Sequence, residues 1–275
     1  MILAISSSSN VLRERHCQNV GMTLASAPRL RIQLCGATIV ERDGERLEPQ
    51  LPGRQGRLLF AYLVINRDHA TGRDRLADAL WPEPVPASAA AGLNPLLSKL
   101  RRILGADAVE GRSSVRLRLP TDSSVDVEKA AEAVHRAESK VALGEWKRAW
   151  APSLAALFVA ERTFLPGEDA PWIDEQRRLL GEIRLRALEA YATATLRTGG
   201  TELPAAVRAA RTLIRLAPLR ESGYQTLMEG LAAQGNVAEA VQIYGELRVV
   251  LRDELGVDPS SASQAVYTKL MRGNG

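Results

Sequence analysis

The chain has 275 residues, of which 45% are hydrophobic and 25% charged but only 4% aromatic. This composition excludes a collagenous, low-complexity or disulfide-scaffold protein and suits two helix-rich domains. The formal charge of +4 is unevenly spread: residues 1–28 hold two Arg and one Glu, residues 29–122 fifteen bases and eleven acids, and residues 123–275 nineteen bases and twenty acids. The positive excess thus falls in the middle segment, as expected if that segment alone meets a polyanion.

Residues 1–28 carry SSSSN and no sustained periodicity, and are expected to form a disordered extension, with Met22 as a second candidate start. No basic residue precedes the short apolar run of MILAISSSSNVL, so it does not read as a secretory signal. No apolar run approaches the roughly 20 residues needed to span a bilayer. The expected location is cytoplasmic and nucleoid-associated, with no membrane partner. Cys17 and Cys35 lack a CxxC spacing, and His16, His69 and His135 are scattered, so no metal and no cofactor are expected. The adjacency of His16 and Cys17 reads as accidental.

From Leu30 the pattern becomes two-fold in LRIQLCGATIV, the turn ERDG and a short ERLEPQL, which predicts a small antiparallel sheet. GRQGRLLFAYLVINRD places Leu58, Leu59, Tyr62, Leu63 and Ile65 on one helical side. A second helix is expected in GRDRLADALW, with Leu76, Leu80 and Trp81 inward and the Thr71 hydroxyl as its cap. Three prolines in PEPVPAS predict a stiff loop, Pro82 to Pro86, before the next helix.

That next stretch, Ser88 to Gly105, is the most informative. At 100° per residue Leu93, Leu96, Leu97, Leu100, Ile103 and Leu104 share one arc, while Asn94, Ser98, Lys99, Arg101 and Arg102 share the other. No acid interrupts it. Such an outward face supplies what a DNA recognition helix needs, although a solvated surface helix has the same pattern. The following AVEGRSSVRLRLP reads as a hairpin with GRSS at its tip, placing Arg112 either against phosphate or minor groove or in a solvated turn. Sheet, three helices and hairpin make a winged helix-turn-helix.

TDSSVD has the composition of a linker, and residues 126–272 read as seven successive helices, with acids and arginines pairing at helical spacing, as in Glu182 with Arg186. The junctions LGEWKRAW and QGNVAEAV place Gly144 and Ala149, and Gly235 and Ala240, at identical separation, and RTGGTELPAAV around Gly199 and Gly200 is a looser copy. A spacing near 34 residues suggests tetratricopeptide-like helix pairs, with a non-repetitive bundle as the alternative. Trp81, Trp146, Trp150 and Trp172 read as packing residues rather than a ligand cage.

LPGRQGRLLFAYLVINR, DRLADALWP, LSKLRRILG, PWIDEQRRLL and APLRESGYQTLMEGLAAQGNVAEAVQIYGELRVVLRDELGVDP together resemble the Streptomyces antibiotic regulatory protein (SARP)/AfsR family of bacterial activators. The likeness runs from about Leu30 to Leu270. It implies an OmpR/PhoB-type winged helix joined to a bacterial transcriptional activation domain. The expected architecture is therefore mainly α with a small β component: a disordered extension over 1–28, a winged-helix DNA-binding domain over 29–122, and an all-α tetratricopeptide-like domain over 123–275.

The same resemblance implies a transcriptional activator that binds promoter direct repeats in double-stranded DNA, as a homodimer or as tandem protomers, and recruits RNA polymerase holoenzyme, often for a secondary-metabolite cluster. The residues it assigns to DNA are Asn94, Ser98, Lys99, Arg101 and Arg102 on the helix, beside Arg112 on the wing, with the Pro82 to Pro86 loop facing polymerase. The alternative function is a helical-repeat adaptor whose winged helix has lost specific reading. No P-loop, GxSxG or HExxH occurs, so no catalytic residue is assigned and no enzyme is expected. Gly92, Pro95 and Leu96 depart from the family's pattern. A proline inside a helix costs about 3 kcal/mol, so the regular helix is expected to begin at Pro95 with Asn94 as its cap and Ala89 to Leu93 as a separate turn or kinked lead-in.

Overall fold

The computed structural model describes residues 30–81 and 89–272. The extension over 1–28, Met22, the His16–Cys17 pair and the Pro82 to Pro86 loop lie outside the described residues.

In β1 (Leu30–Gln33) alternate residues turn inward, burying Leu30 and Ile32. It pairs antiparallel with β2 (Ile39–Arg42), which turns through Asp43 and Gly44 into β3 (Glu45–Arg46). Helix α1 (Gly53–Ile65) lays Leu59, Phe60 and Leu63 into the core. The short strand β4 (Thr71–Gly72) leads into α2 (Arg73–Leu80), and α3 (Ala89–Leu104) follows. Strands β5 (Val109–Glu110) and β6 (Ser114–Leu117) form the expected hairpin, with Val109 opposite Leu117, and β4 pairs with the other edge of β6. The fold class is that expected: a winged helix-turn-helix followed by an all-α tetratricopeptide-like array.

Three local expectations fail here. Thr71 does not cap α2; it is buried in β4 opposite Val115, and Gly72 occupies the cap position without a side-chain bond. Backbone pairing with β6 takes Thr71 into the sheet instead. TDSSVD is not a free linker either. Ser124 and Val125 form β7, which adds parallel to β1 and completes a sheet of order β3-β2-β1-β7. Immediately after it, the Asp126 carboxylate accepts the backbone N–H groups of Leu34 and Cys35 at 2.9 to 3.1 Å. Arg186 pairs across helices with Glu138, through Nε at 2.6 Å and Nη2 at 2.5 Å, rather than with Glu182, which faces Arg220. A two-bond fork to a facing helix outweighs a neighbour on the same exposed face.

The remaining helices are α4 (Asp126–Ala142), α5 (Trp146–Ala160), α6 (Pro171–Thr198), α7 (Leu203–Leu216), α8 (Glu221–Ala233), α9 (Val237–Leu255) and α10 (Ser261–Arg272). Their bounds follow the apolar periodicity of the sequence to within about two residues. At the matched junctions Gly144 and Gly235 have φ of +71° and +84°, while Ala149 and Ala240 are fully buried between helices. A side chain at either glycine would be strained, and anything larger than Ala would separate the pair. Among the described residues no helix is long and apolar enough to cross a membrane.

One hydrophobic cluster runs through both halves of the chain. It joins Leu59, Phe60, Leu76, Leu93 and Leu97 to Phe164, Ile173 and Leu180. Backbone bonds reinforce the seam: Gly36 N–H donates to the Thr163 carbonyl at 2.8 Å and Leu165 N–H to the Leu34 carbonyl at 2.9 Å. Trp172 meets Tyr62 and Phe164 edge to face, at 5.2 and 6.0 Å between ring centroids. Within this seam burial pushes the Cys35 thiol well above its ordinary range, reinforced by the Asp126 charge, so the sulfur stays protonated and acts as a small apolar side chain.

Candidate nucleic-acid interface

Helix α3 is held in place from three sides. Its inner face buries Leu93, Leu97, Leu100 and Leu104, and Leu96 and Ile103 pack half-buried at the margin. At its C-terminus Arg42 of β2 donates from Nη2 to the Leu104 carbonyl at 2.9 Å, satisfying a group that the helix itself leaves open. Near its N-terminus the Trp81 ring lies against Gly92, where an added Cβ would come within 3.2 and 3.3 Å of ring carbons. A side chain at Gly92 would crowd that ring.

The helix is continuous from Ala89 to Leu104, with Pro95 inside it. This overturns the expected start at Pro95. Asn94 is not a cap; it lies within the helix, its side chain turned outward. The proline removes one donor, leaving the Ala91 carbonyl without its usual N–H partner, but Ala91 is exposed and water can take that acceptor. Burial of the leucines on both sides of Pro95 then outweighs the remaining cost.

Asn94, Ser98, Lys99 and Arg102 are exposed along the outer face, and no acid stands among them. Among the described residues Ser98, Lys99 and Arg102 make no side-chain hydrogen bond or ion pair with the protein. Arg101 behaves differently. It is half-buried, and its guanidinium turns to the hairpin, donating from Nε to the Val109 carbonyl at 3.0 Å and from Nη2 to the Gly111 carbonyl at 2.8 Å. Arg112 stands exposed at the hairpin tip. The tip closes through Gly111, with φ of +88°, where any Cβ would fall 1.9 Å from the Ser114 carbonyl oxygen, so only glycine fits.

Two residues that sequence reasoning did not single out complete the arrangement. Arg42 anchors the end of α3. Arg73, the first residue of α2, donates from Nη2 to Asn94 Oδ1 at 2.6 Å and from Nη1 to the Arg112 carbonyl at 3.2 Å. Its partners lie 21 and 39 residues away, beyond any local periodicity. Helix and hairpin are thus joined by arginines. Further along the hairpin, Glu110 is paired with Arg118 at 3.0 Å.

Comparison with known proteins gives a consistent picture. The family described as bacterial transcriptional activator domain matches residues 125–271. The regulatory protein AfsR of Streptomyces coelicolor is 31% identical over 244 residues, covering 88% of this chain and 24% of AfsR. The regulatory protein DnrI of Streptomyces peucetius is 28% identical, covering 88% of this chain and 92% of DnrI. Among solved structures, Mycobacterium tuberculosis EmbR in complex with a low-affinity phosphopeptide superposes with a TM-score of 0.76 at 26% identity, covering 89% of this chain and 65% of EmbR. The chain therefore spans about a quarter of the AfsR relative's length.

Proposed function

Because the chain belongs to the SARP/AfsR family of transcriptional regulators, through its bacterial transcriptional activator domain, we propose that it is a sequence-specific DNA-binding activator that recruits RNA polymerase. The family's members are regulators rather than enzymes, and this reading asks for no chemistry on DNA. In it, α3 enters the major groove; Asn94 and Ser98 face base edges while Lys99 and Arg102 meet phosphates. Arg112 reaches the backbone or minor groove from the wing, and Arg101 holds that wing at a fixed distance from the helix. Phosphate contacts supply much of the affinity, and each well-placed bidentate base contact adds about 1–3 kcal/mol of discrimination.

The observation that carries this reading is the row of exposed polar side chains on α3 with no acid among them, of which Ser98, Lys99 and Arg102 are unpaired among the described residues, directly beside a hairpin tip tied to the helix. The helical array presents protein surface for polymerase, and the proposed targets are promoters with direct repeats, bound by tandem protomers, in a secondary-metabolite gene cluster.

Titration of the full chain against the upstream regions of neighbouring genes and against random duplex, across a range of salt, tests this. Preference for a promoter fragment with a steep salt dependence is the expected result. Equal affinity for every duplex at physiological salt would favour the adaptor reading instead. Transcription in vitro from a bound promoter with purified holoenzyme tests recruitment.

A further inference from the structure

An asparagine in the major groove reads adenine by accepting from N6 and donating to N7 at once. Asn94 is not free to present its amide in an arbitrary sense. Its Oδ1 is held at 2.6 Å by the Arg73 guanidinium, a short charge-assisted bond. Since an amide is planar, fixing the oxygen toward Arg73 turns Nδ2 away from it. Asn94 is exposed, so those two N–H donors are available to a ligand. The same guanidinium reaches the Arg112 carbonyl at 3.2 Å, so it bridges acceptors on two different elements. A lysine, with a point charge on a flexible stem, does not supply the planar fork that spans both.

We propose that Arg73 is a specificity-setting positioning residue: by holding Asn94 Oδ1 it presents Asn94 to the major groove as a donor, selecting guanine, whose O6 and N7 both accept, over adenine and thymine, which offer one acceptor each, and cytosine, which offers none. This rests on the DNA-reading function proposed above and names the kind of base edge that site takes. Arg73 itself acts through Asn94, without contact to the base. Its second bond keeps the wing in register with the leading half of α3, so the amide and the wing tip are set by one side chain.

Selection from a randomised duplex library with the full chain tests the proposal, using wild type, R73A, R73K, N94A, R112A and the R73A/N94A double variant, each first shown to melt like wild type. N94A identifies the position that Asn94 reads. At that position wild type should enrich guanine, and R73A should lower the preference by roughly tenfold, within the range of a single side chain–base contact. R73K should not restore it, the double variant should be no worse than N94A, and R112A should leave that position unchanged. A general structural defect would instead weaken binding to all sequences alike and leave the preference intact.

Adenine preferred over guanine at the Asn94 position in wild type, an unchanged preference in R73A, or losses that simply add in the double variant would each overturn the proposal. A wild-type protein that enriches no sequence would remove the DNA-reading function itself, and this inference with it. That outcome is distinct from a wild type that selects a site which R73A reads equally well.

Discussion

The indole N–H of Trp172, in the first turn of α6, donates to the backbone carbonyl of Ala79 in α2 at 3.0 Å. One bond thus ties the helical array to the helix that precedes α3. Its ring sits edge to face with Tyr62 and Phe164, so the tie lies within the shared core rather than on its rim. The two halves are therefore expected to unfold together. W172A should lower stability by about 3 kcal/mol, the lower end for truncating a large aromatic because the ring is only partly buried. W172F, which keeps an aromatic ring in the seam but loses the bond and part of the indole's packing, should cost about 1–2 kcal/mol. Denaturant unfolding followed by circular dichroism checks both, and separate transitions for the two halves would contradict the shared core.

Asp126 carries a second part of that seam. Its carboxylate is the acceptor for the N–H groups of Leu34 and Cys35, both fully buried. D126A should cost about 2–4 kcal/mol, since each orphaned donor loses its partner without regaining water. Chemical denaturation of the variant provides the measurement. D126A should also increase amide hydrogen exchange at Leu34 and Cys35 before any change appears at the α9–α10 end.

Lys99 and Arg101 are neighbours on the same helix with different expected readouts. K99A should weaken binding to specific and random duplex alike and reduce the slope of log affinity against log salt by about one. R101A removes two bonds to the wing backbone. It should weaken specific binding more than non-specific binding and increase hydrogen exchange around Gly111 in the free protein. Identical salt slopes for K99A and wild type would take Lys99 out of the interface.

The Glu138–Arg186 fork predicts a pH dependence. The hydrogen bonds from Arg186 hold the Glu138 carboxyl below its ordinary value of 4.5, against the opposing effect of burial. The unfolded chain therefore takes up this proton first as pH falls. The stabilisation is complete at neutral pH and shrinks as the pH drops below about 4.5. E138Q should melt below wild type at neutral pH, with the gap closing in acid. Melting curves across that range check the sign; a gap that widens in acid would show that the pair does not stabilise the folded state.

Much of the site was legible in the residues alone. The leucine arc of α3, its acid-free outer face, the GRSS tip and the Gly–Ala junctions all depend on spacings of two to five residues, and such spacings are properties of a helix or a hairpin before it packs. The fate of Pro95 was not legible, because the local penalty of a proline is visible in sequence while the burial of Leu93 and Leu97 that overrides it is a property of the assembled core.

The sequence by itself thus determined which segments are helices, which faces of them are apolar, and that a basic face stands beside a hairpin, because backbone periodicity and side-chain polarity act over a few residues. Only the tertiary structure decided that Thr71 and Ser124–Val125 are strands, that Asp126 closes the sheet, that Arg101 turns to the wing and that Arg73 holds Asn94. Those choices depend on partners distant along the chain: a two-residue strand or a lone guanidinium has no period of its own, and its conformation is set by whichever unsatisfied backbone group or amide the folded chain brings within reach.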